Sequence, residues 1–251
     1  MVVEYKLMSE VYVILSGALR ALGYLEIPLL ARLDSKSFVD AKGFLGKVRP
    51  WAELRDVFEY VACMECAVER LDSLPTGHEL GSVHLTPARY DSAALVFFAQ
   101  ATLDNLAVWM NSVFGLGLSN VEISFYKNKM PKLLASIDPD FKVGFDEYSK
   151  FIHRLNGYRM EWLHKISGGA EFYTDGDPGL PGAIVQILVP LDPKIISVRD
   201  DQGEYLRRIK QCEKDNGGEW LIPVTDFAHE IKKSTLSLVL SLLEVSEKHF
   251  P

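Results

Sequence analysis

At 251 residues, with 48% hydrophobic and 24% charged residues, the chain has an ordinary globular composition and is long enough to bury a large core. Its formal net charge of −7 at pH 7 argues against a dedicated binder of duplex DNA or RNA, because such proteins neutralise phosphates with a basic surface. A small, local basic site is compatible with that balance.

The N-terminal region carries an amphipathic helical pattern over residues 1–24 and does not read as a secretory signal. Glu4, Lys6 and Glu10 interrupt its apolar residues. The uncharged run at 11–19 is too short to span a bilayer. With three cysteines, an odd number, no disulfide framework is indicated. We therefore expect a cytoplasmic protein without a membrane segment.

Two of the cysteines, Cys63 and Cys66, form a C-x-x-C within a helical pattern. Because no second pair and no matched histidines accompany them, we read them as buried helical thiols instead of zinc ligands. A glycine-rich phosphate loop, a zinc-protease motif and a nucleophile elbow are all absent from the sequence. We predict neither a metal nor a cofactor.

Apolar residues at intervals of three and four predict most of the chain to be helical. The region 27–50 reads as a loop with one short helix, with Pro50 as a breaker, and 121–125 as a short strand. The segments 170–175, 183–191 and 194–200 read as strands separated by turn residues. The long predicted helices cover 1–24, 51–74, 86–115, 145–169 and 223–250, and shorter ones 130–137 and 205–214.

These elements predict a mainly α fold, an up-and-down helical bundle with a small β hairpin or sheet inserted at about 170–200, before the last helix. We take residues 1–251 as a single domain. Within it, the helix at 86–115 is apolar almost all round, which places it in the middle of the bundle.

Polar residues on two of these helices are candidates for a buried interaction. Gln100, Asp104 and Asn111 fall within about 40° of one another on the most apolar helix. On the helix at 145–169, Arg159 continues an apolar stripe, and a guanidinium on a buried face needs a carboxylate, an anion or water. Asp104 is either that partner or a carboxylate that reaches water, with Gln100 and Asn111 bonded to neighbours.

His164 follows Arg159 by five residues. On one regular helix these two side chains point about 140° apart. They meet only if the helix breaks at Asn156-Gly157, a turn dipeptide, or if a second subunit supplies the other half. That geometry is a reason to expect a homodimer. The alternative reading of His164 is a solvated last-turn histidine, favourable beside the helix C-terminus with Lys165.

The Arg159-x-x-x-x-His164 pattern near a helix end, with Leu103-Asp104-Asn105-Leu106 and a segment that runs into strands before a final helix, resembles the HEPN superfamily, whose hallmark is R-x4-6-H. The resemblance covers about 86–250. It implies a helical bundle that acts either as a metal-independent ribonuclease with its site at a homodimer interface, or as a non-catalytic partner or nucleotide-binding module.

Two hypotheses follow from the resemblance and the residues. In the first, Arg159 would hold the scissile phosphate and His164 would move the proton during cleavage of RNA. In the second, the chain binds RNA, a nucleotide or a protein partner without strong catalysis. Met160 favours the second, since catalytic members carry a polar residue after the arginine. The supporting residues expected at either site are Asp104, Arg154, Asn156 and Lys165.

Overall fold

The computed structural model describes residues 44–76, 79–165, 171–175, 184–198 and 201–249, most of which are helical. The fold class is confirmed: the protein is a helical bundle with a small antiparallel sheet before the last helix. The predicted helix at 1–24 lies outside the described residues. In chain order the described α-helices are α1 Phe44–Asp72, α2 Leu85–Val113, α3 Lys129–Ile137, α4 Pro139–Lys165, α5 Gln202–Asp215 and α6 Val224–Glu247.

Where the structure describes their side chains, the apolar stripes predicted for 51–74 and 223–250 are buried. Burial of these faces in the core stabilises the helices. On α1 the buried positions include Leu54, Phe58, Val61, Val68 and Leu71. On α6 they include Phe227, Ile231, Leu238, Leu242 and Val245. By length and composition alone α2 could cross a membrane, but 56% of its most apolar 18-residue window is buried within the fold. Such burial is typical of the core helix of a soluble protein.

The sheet has three antiparallel strands in the order β1-β2-β3. Glu171 pairs with Leu188, which in turn pairs with Pro223. The third strand was not predicted, because its three residues stand directly before α6 with no connecting residue. The strands are β1 Glu171–Asp175, β2 Ile184–Pro190 and β3 Leu221–Pro223.

The strand predicted at 194–200 is wrong. The chain forms a 3₁₀-helix there, η2 Pro193–Val198, the second after η1 Ser82–His84 among the described residues. Asp192 starts it: its side-chain Oδ1 accepts from the amide of Lys194 at 2.9 Å, and its carbonyl accepts from the amide of Ile195 at 3.1 Å. An Asp-Pro pair thus begins a helical turn and overrides the β propensity of the two isoleucines that follow.

Two other local predictions are corrected. Pro50 was expected to break a helix but lies inside α1, which begins at Phe44. The short strand expected at 121–125 is a turn. There the amide of Glu122 donates to the carbonyl of Ser119 at 2.8 Å, and the Glu122 carboxylate accepts from the Ser119 amide at 3.1 Å. This reciprocal pairing satisfies backbone groups that a strand would have left to a neighbour.

The chain divides into two compact units whose boundaries fall inside the four long helices. In the first unit, α4 approaches α6 closely, since a Cβ on Gly144 would lie 3.0 Å from Ser241 Oγ. Phe125 and Phe145 also pack there, with ring centroids 5.2 Å apart. The first unit comprises Met1–Ala62, Ala101–Tyr148 and Thr235–Pro251, and the second Cys63–Gln100 and Ser149–Ser234.

In the second unit, ion pairs join the helix segments. Arg70 of α1 contacts Asp91 of α2 at 2.7 Å. Lys232 of α6 contacts Glu65 of α1 at 2.5 Å. These ion pairs hold α1 beside α2 and α6 in this unit. A separate apolar cluster packs α5 against η2 and β3. That cluster contains Leu191, Ile195 and Cys212, with Tyr205, Ile209, Trp220 and Ile222 packed on it.

Candidate functional site

The helix that carries Arg159 and His164 is unbroken from Pro139 to Lys165. The break at Asn156-Gly157 that would let the two side chains meet is therefore absent. Gly157 serves another purpose, because a Cβ built on it would lie 2.8 Å from Cγ of Pro193. The glycine lets η2 approach the α4 backbone, a packing role that a turn dipeptide in the sequence does not reveal.

Arg159 is partly buried, as its place in the apolar stripe predicted, while Met160 beside it is 50% exposed. His164 and Lys165 close α4, and their side chains lie outside what the structure describes. Since α4 is continuous, the positions of Arg159 and His164 stand on faces about 140° apart.

Tyr158, which the sequence reasoning missed, occupies the fully buried position of this stretch. Its phenol donates to the carbonyl of Pro190 at 2.7 Å and lies 3.0 Å from the carbonyl oxygen of Leu191. Burial raises the pKa of Tyr158 well above the usual range for tyrosine, and the nearby positive charge of Arg154 acts in the opposite direction. The phenol therefore stays protonated and ties α4 to the end of β2. The signal was present: Tyr158 follows Leu155 by three residues and precedes Trp162 by four.

Tyr158, Trp162 and Phe227 form a closed aromatic cluster between α4 and α6. Their ring centroids are 4.9, 5.1 and 5.4 Å apart. The tilted and edge-on arrangements are those that aromatic quadrupoles prefer. Among the described residues, the buried Nε1 of Trp162 has no hydrogen-bond partner. The cluster sets the spacing of the two helices at the level of Arg159.

Arg154, predicted to support a binding site, is engaged by a carboxylate. Its guanidinium donates to Glu230 of α6, and both side chains are partly buried. On α6, Lys232 contacts Glu65, and Nε2 of His229 lies 2.9 Å from Oδ1 of Asp72. Arg154 and Lys232 are thus each paired with a carboxylate, which lowers the positive charge available to an anion at these two positions.

Two other predicted supporting residues, Asp104 and Asn156, lie on α2 and α4. Asp104 is partly buried on α2 within the first unit, whereas Arg159 belongs to the second, so their pairing stays a prediction. Asn156 is partly buried on α4. In the polar seam of α2, Asn111 accepts a hydrogen bond from the amide of Leu118 at 3.0 Å. Asn111 therefore closes the turn that follows α2.

The prediction for the C-x-x-C motif is wrong in one respect. Cys63 and Cys66 are exposed on α1, and only the third cysteine, Cys212, is buried. The helical periodicity could not predict the exposure of these two residues, because cysteine occurs on both the buried and the exposed faces of helices. His84, a histidine near the start of α2, accepts from the amide of Gly81 at 2.9 Å and so serves a turn. No group of three or more potential metal ligands occurs among the described residues.

No family model, no curated protein and no solved structure matches this chain.

Proposed function

We propose that this protein is a HEPN-like, cytoplasmic helical module that associates with a second copy of itself and does not cleave RNA efficiently. The observation that carries the proposal is the continuity of α4 from Pro139 to Lys165. An unbroken helix separates Arg159 from His164 by about 140°, so one chain lacks the paired cation and proton-transfer group that cleavage requires.

The electrostatics of the second unit support a non-catalytic role. A ribonuclease needs a surface that holds a polyanion, which depends on unneutralised lysines and arginines. Arg154 and Lys232 are instead paired with Glu230 and Glu65. The half-exposed Met160 stands where catalytic HEPN proteins carry a polar residue.

An exposed aromatic face supports association with a partner. Tyr90 and Phe97 of α2 are 72% and 44% exposed. They stand seven residues apart and so share one face of the helix, with Ala94 between them. Exposed aromatics on one apolar face are typical of protein interfaces. We take the partner to be a second copy of the chain, since the family resemblance implies a homodimer.

The second candidate function is a metal-independent endoribonuclease whose Arg159 and His164 come from different subunits. It is favoured by the same geometry, because a dimer could bring together two groups that one chain holds apart. In either case a dimer is expected, and activity distinguishes the two functions.

The test combines light scattering with an RNA cleavage assay in EDTA. We expect a dimer that Phe97→Asp dissociates, and no cleavage of single-stranded RNA above the level of Arg159→Ala and His164→Ala. Arg207→Ala, which removes an exposed arginine of α5, controls for loss of a positive charge. Cleavage by the parent that both site variants abolish, and that Arg207→Ala keeps, would establish the ribonuclease. A strictly monomeric parent would refute the association.

A further inference from the structure

Cys63 and Cys66 stand one helical turn apart on α1, and both are exposed. The chain has three cysteines, so the remaining one is Cys212. Cys212 is buried, and Asn216 Nδ2 lies 3.3 Å from its Sγ. Burial raises the pKa of the Cys212 thiol. The protein thus presents two exposed cysteines one turn apart and keeps its third cysteine inside.

The spacing of the two thiols decides which chemistry suits them. Residues three apart on a helix have Cβ atoms about 5–6 Å apart. A disulfide needs a Cβ–Cβ separation of about 3.5–4.5 Å, so oxidation of this pair would distort α1. A single atom bonded to both sulfurs at about 2.3 Å each can span up to about 4.6 Å between sulfurs, which side-chain rotation reaches from those Cβ positions. The geometry suits one bridging atom better than a sulfur–sulfur bond.

The number of ligands decides which bridging atom suits the pair. A structural zinc ion takes four ligands, and the described residues assemble no group of three or more histidine, cysteine or carboxylate side chains. Cu(I), a soft d¹⁰ cation, is satisfied by two thiolates, which are the soft ligands that it prefers. A trivalent organoarsenical forms three bonds, and since one of them goes to carbon, two positions remain for sulfur.

We propose that Cys63 and Cys66 form a dithiol site for a soft thiophile that bonds two sulfurs at once, either a monovalent copper-like ion or a trivalent arsenical. With copper, two Cu–S bonds form and the two thiol protons pass to solvent. With an arsonous acid, two As–S bonds replace two As–O bonds, and the thiol protons leave with the displaced oxygens as two water molecules. Arsenic stays trivalent and no electron is transferred.

The test uses the full reduced chain with two probes, phenylarsine oxide and Cu(I) held by a competing chromophoric chelator. We expect one equivalent bound per chain in at least one arm, and the arm that binds identifies the source. Cys63→Ser and Cys66→Ser, both at exposed positions, should each weaken binding at least about 100-fold, because a chelate of two linked groups gains that much from effective concentration. The double variant retains Cys212 alone and should bind no better than either single variant.

Binding in neither arm would overturn the proposal. So would an affinity that either single serine variant leaves at the parental value, since one thiol would then suffice. Circular dichroism on each variant confirms that α1 is intact, so a loss of binding reports the removed sulfur.

Discussion

Pro193 lies against the backbone of Gly157 so closely that a Cβ on the glycine would be 2.8 Å from the proline Cγ. Glycine inside a helix ordinarily costs about 0.5–1 kcal/mol relative to alanine. Here glycine is needed at this position because, without a side chain, it lets η2 and the end of β2 pack directly against α4.

We expect Gly157→Ala to lower the free energy of unfolding by about 1–3 kcal/mol, because the new methyl group overpacks the contact with a rigid ring. Urea unfolding measures the change. Gly203→Ala in α5 is the matched control, since its Cβ would stand 3.5 Å from Asp201 Oδ1, an ordinary contact, and should be neutral or stabilising. Adding Pro193→Ala should recover part of the loss. A Gly157→Ala protein as stable as the parent would contradict the contact.

Tyr158→Phe should destabilise the protein by about 1–3 kcal/mol, because it leaves the buried carbonyls of Pro190 and Leu191 without their phenol donor. Chemical denaturation followed by far-UV circular dichroism gives the value. Tyr205→Phe, a partly buried tyrosine on α5, provides the comparison and should change stability less. Equal effects at the two positions would count against the hydrogen bonds of Tyr158.

Lys232→Met should cost about 1–3 kcal/mol, since it leaves the Glu65 carboxylate without its cation. The two side chains are only 21% and 25% exposed, and Glu65 Oε2 is buried without a hydrogen-bond partner among the described residues. Replacing both residues by Met should restore much of the loss, because no charge then remains buried. Lys233→Met, at the exposed neighbouring position, is the control. Additive losses in the double variant would show that the pair is not coupled.

The stability contributed by Glu122 should depend on pH. Hydrogen bonds from Lys129, then from the side chain and amide of Ser119, lower the pKa of Glu122 from its ordinary 4.5 to about 2. A lowered pKa means that the folded state holds the carboxylate charged more readily than the unfolded chain does. The contribution is therefore complete above pH 4.5 and declines as pH falls toward 2.

Comparing Glu122→Gln with the parent tests this directly. The difference in free energy of unfolding should be largest near pH 6 and shrink steadily as pH is lowered through 4 and 3. Glu147→Gln, an exposed glutamate of α4, corrects for the loss of one negative charge. A difference that is constant between pH 6 and 3 would rule out the proposed pKa.

The long helices were predictable because buried apolar residues recur at intervals of three and four along a helix, and these intervals are visible in the sequence. The stripes on α1 and α6 followed from them, and the sheet before α6 followed from the turn residues that separate its strands. Where one polar side chain decides the backbone, periodicity failed: Asp192 turned an apolar run into a 3₁₀-helix, and Ser119 with Glu122 closed a turn in place of a strand.

The candidate site was harder to predict, because its features depend on what comes from elsewhere in the chain. Gly157 reads as a turn signal until Pro193 is placed beside it. The sequence offers Arg154 as a supporting residue of a binding site, whereas in the structure its guanidinium donates to Glu230, 76 residues away. Cys63 and Cys66 read as core because nothing local distinguishes an exposed cysteine from a buried one. The sequence indicates which single positions are candidates for burial or for a site, but it does not identify the distant residue that each one contacts.

β3 ends at Pro223 and α6 begins at Val224, so strand and helix share one continuous stretch of backbone without slack. The pairing of Leu188 with Pro223 therefore fixes the rotational setting of α6 about its own axis. One extra residue at this junction would turn the start of the helix by about 100° and advance it by about 1.5 Å. Phe227 would leave its aromatic neighbours, and Lys232 would leave its carboxylate, in a single step. A small three-strand sheet thus sets both the rotation and the axial position at which a much longer helix begins.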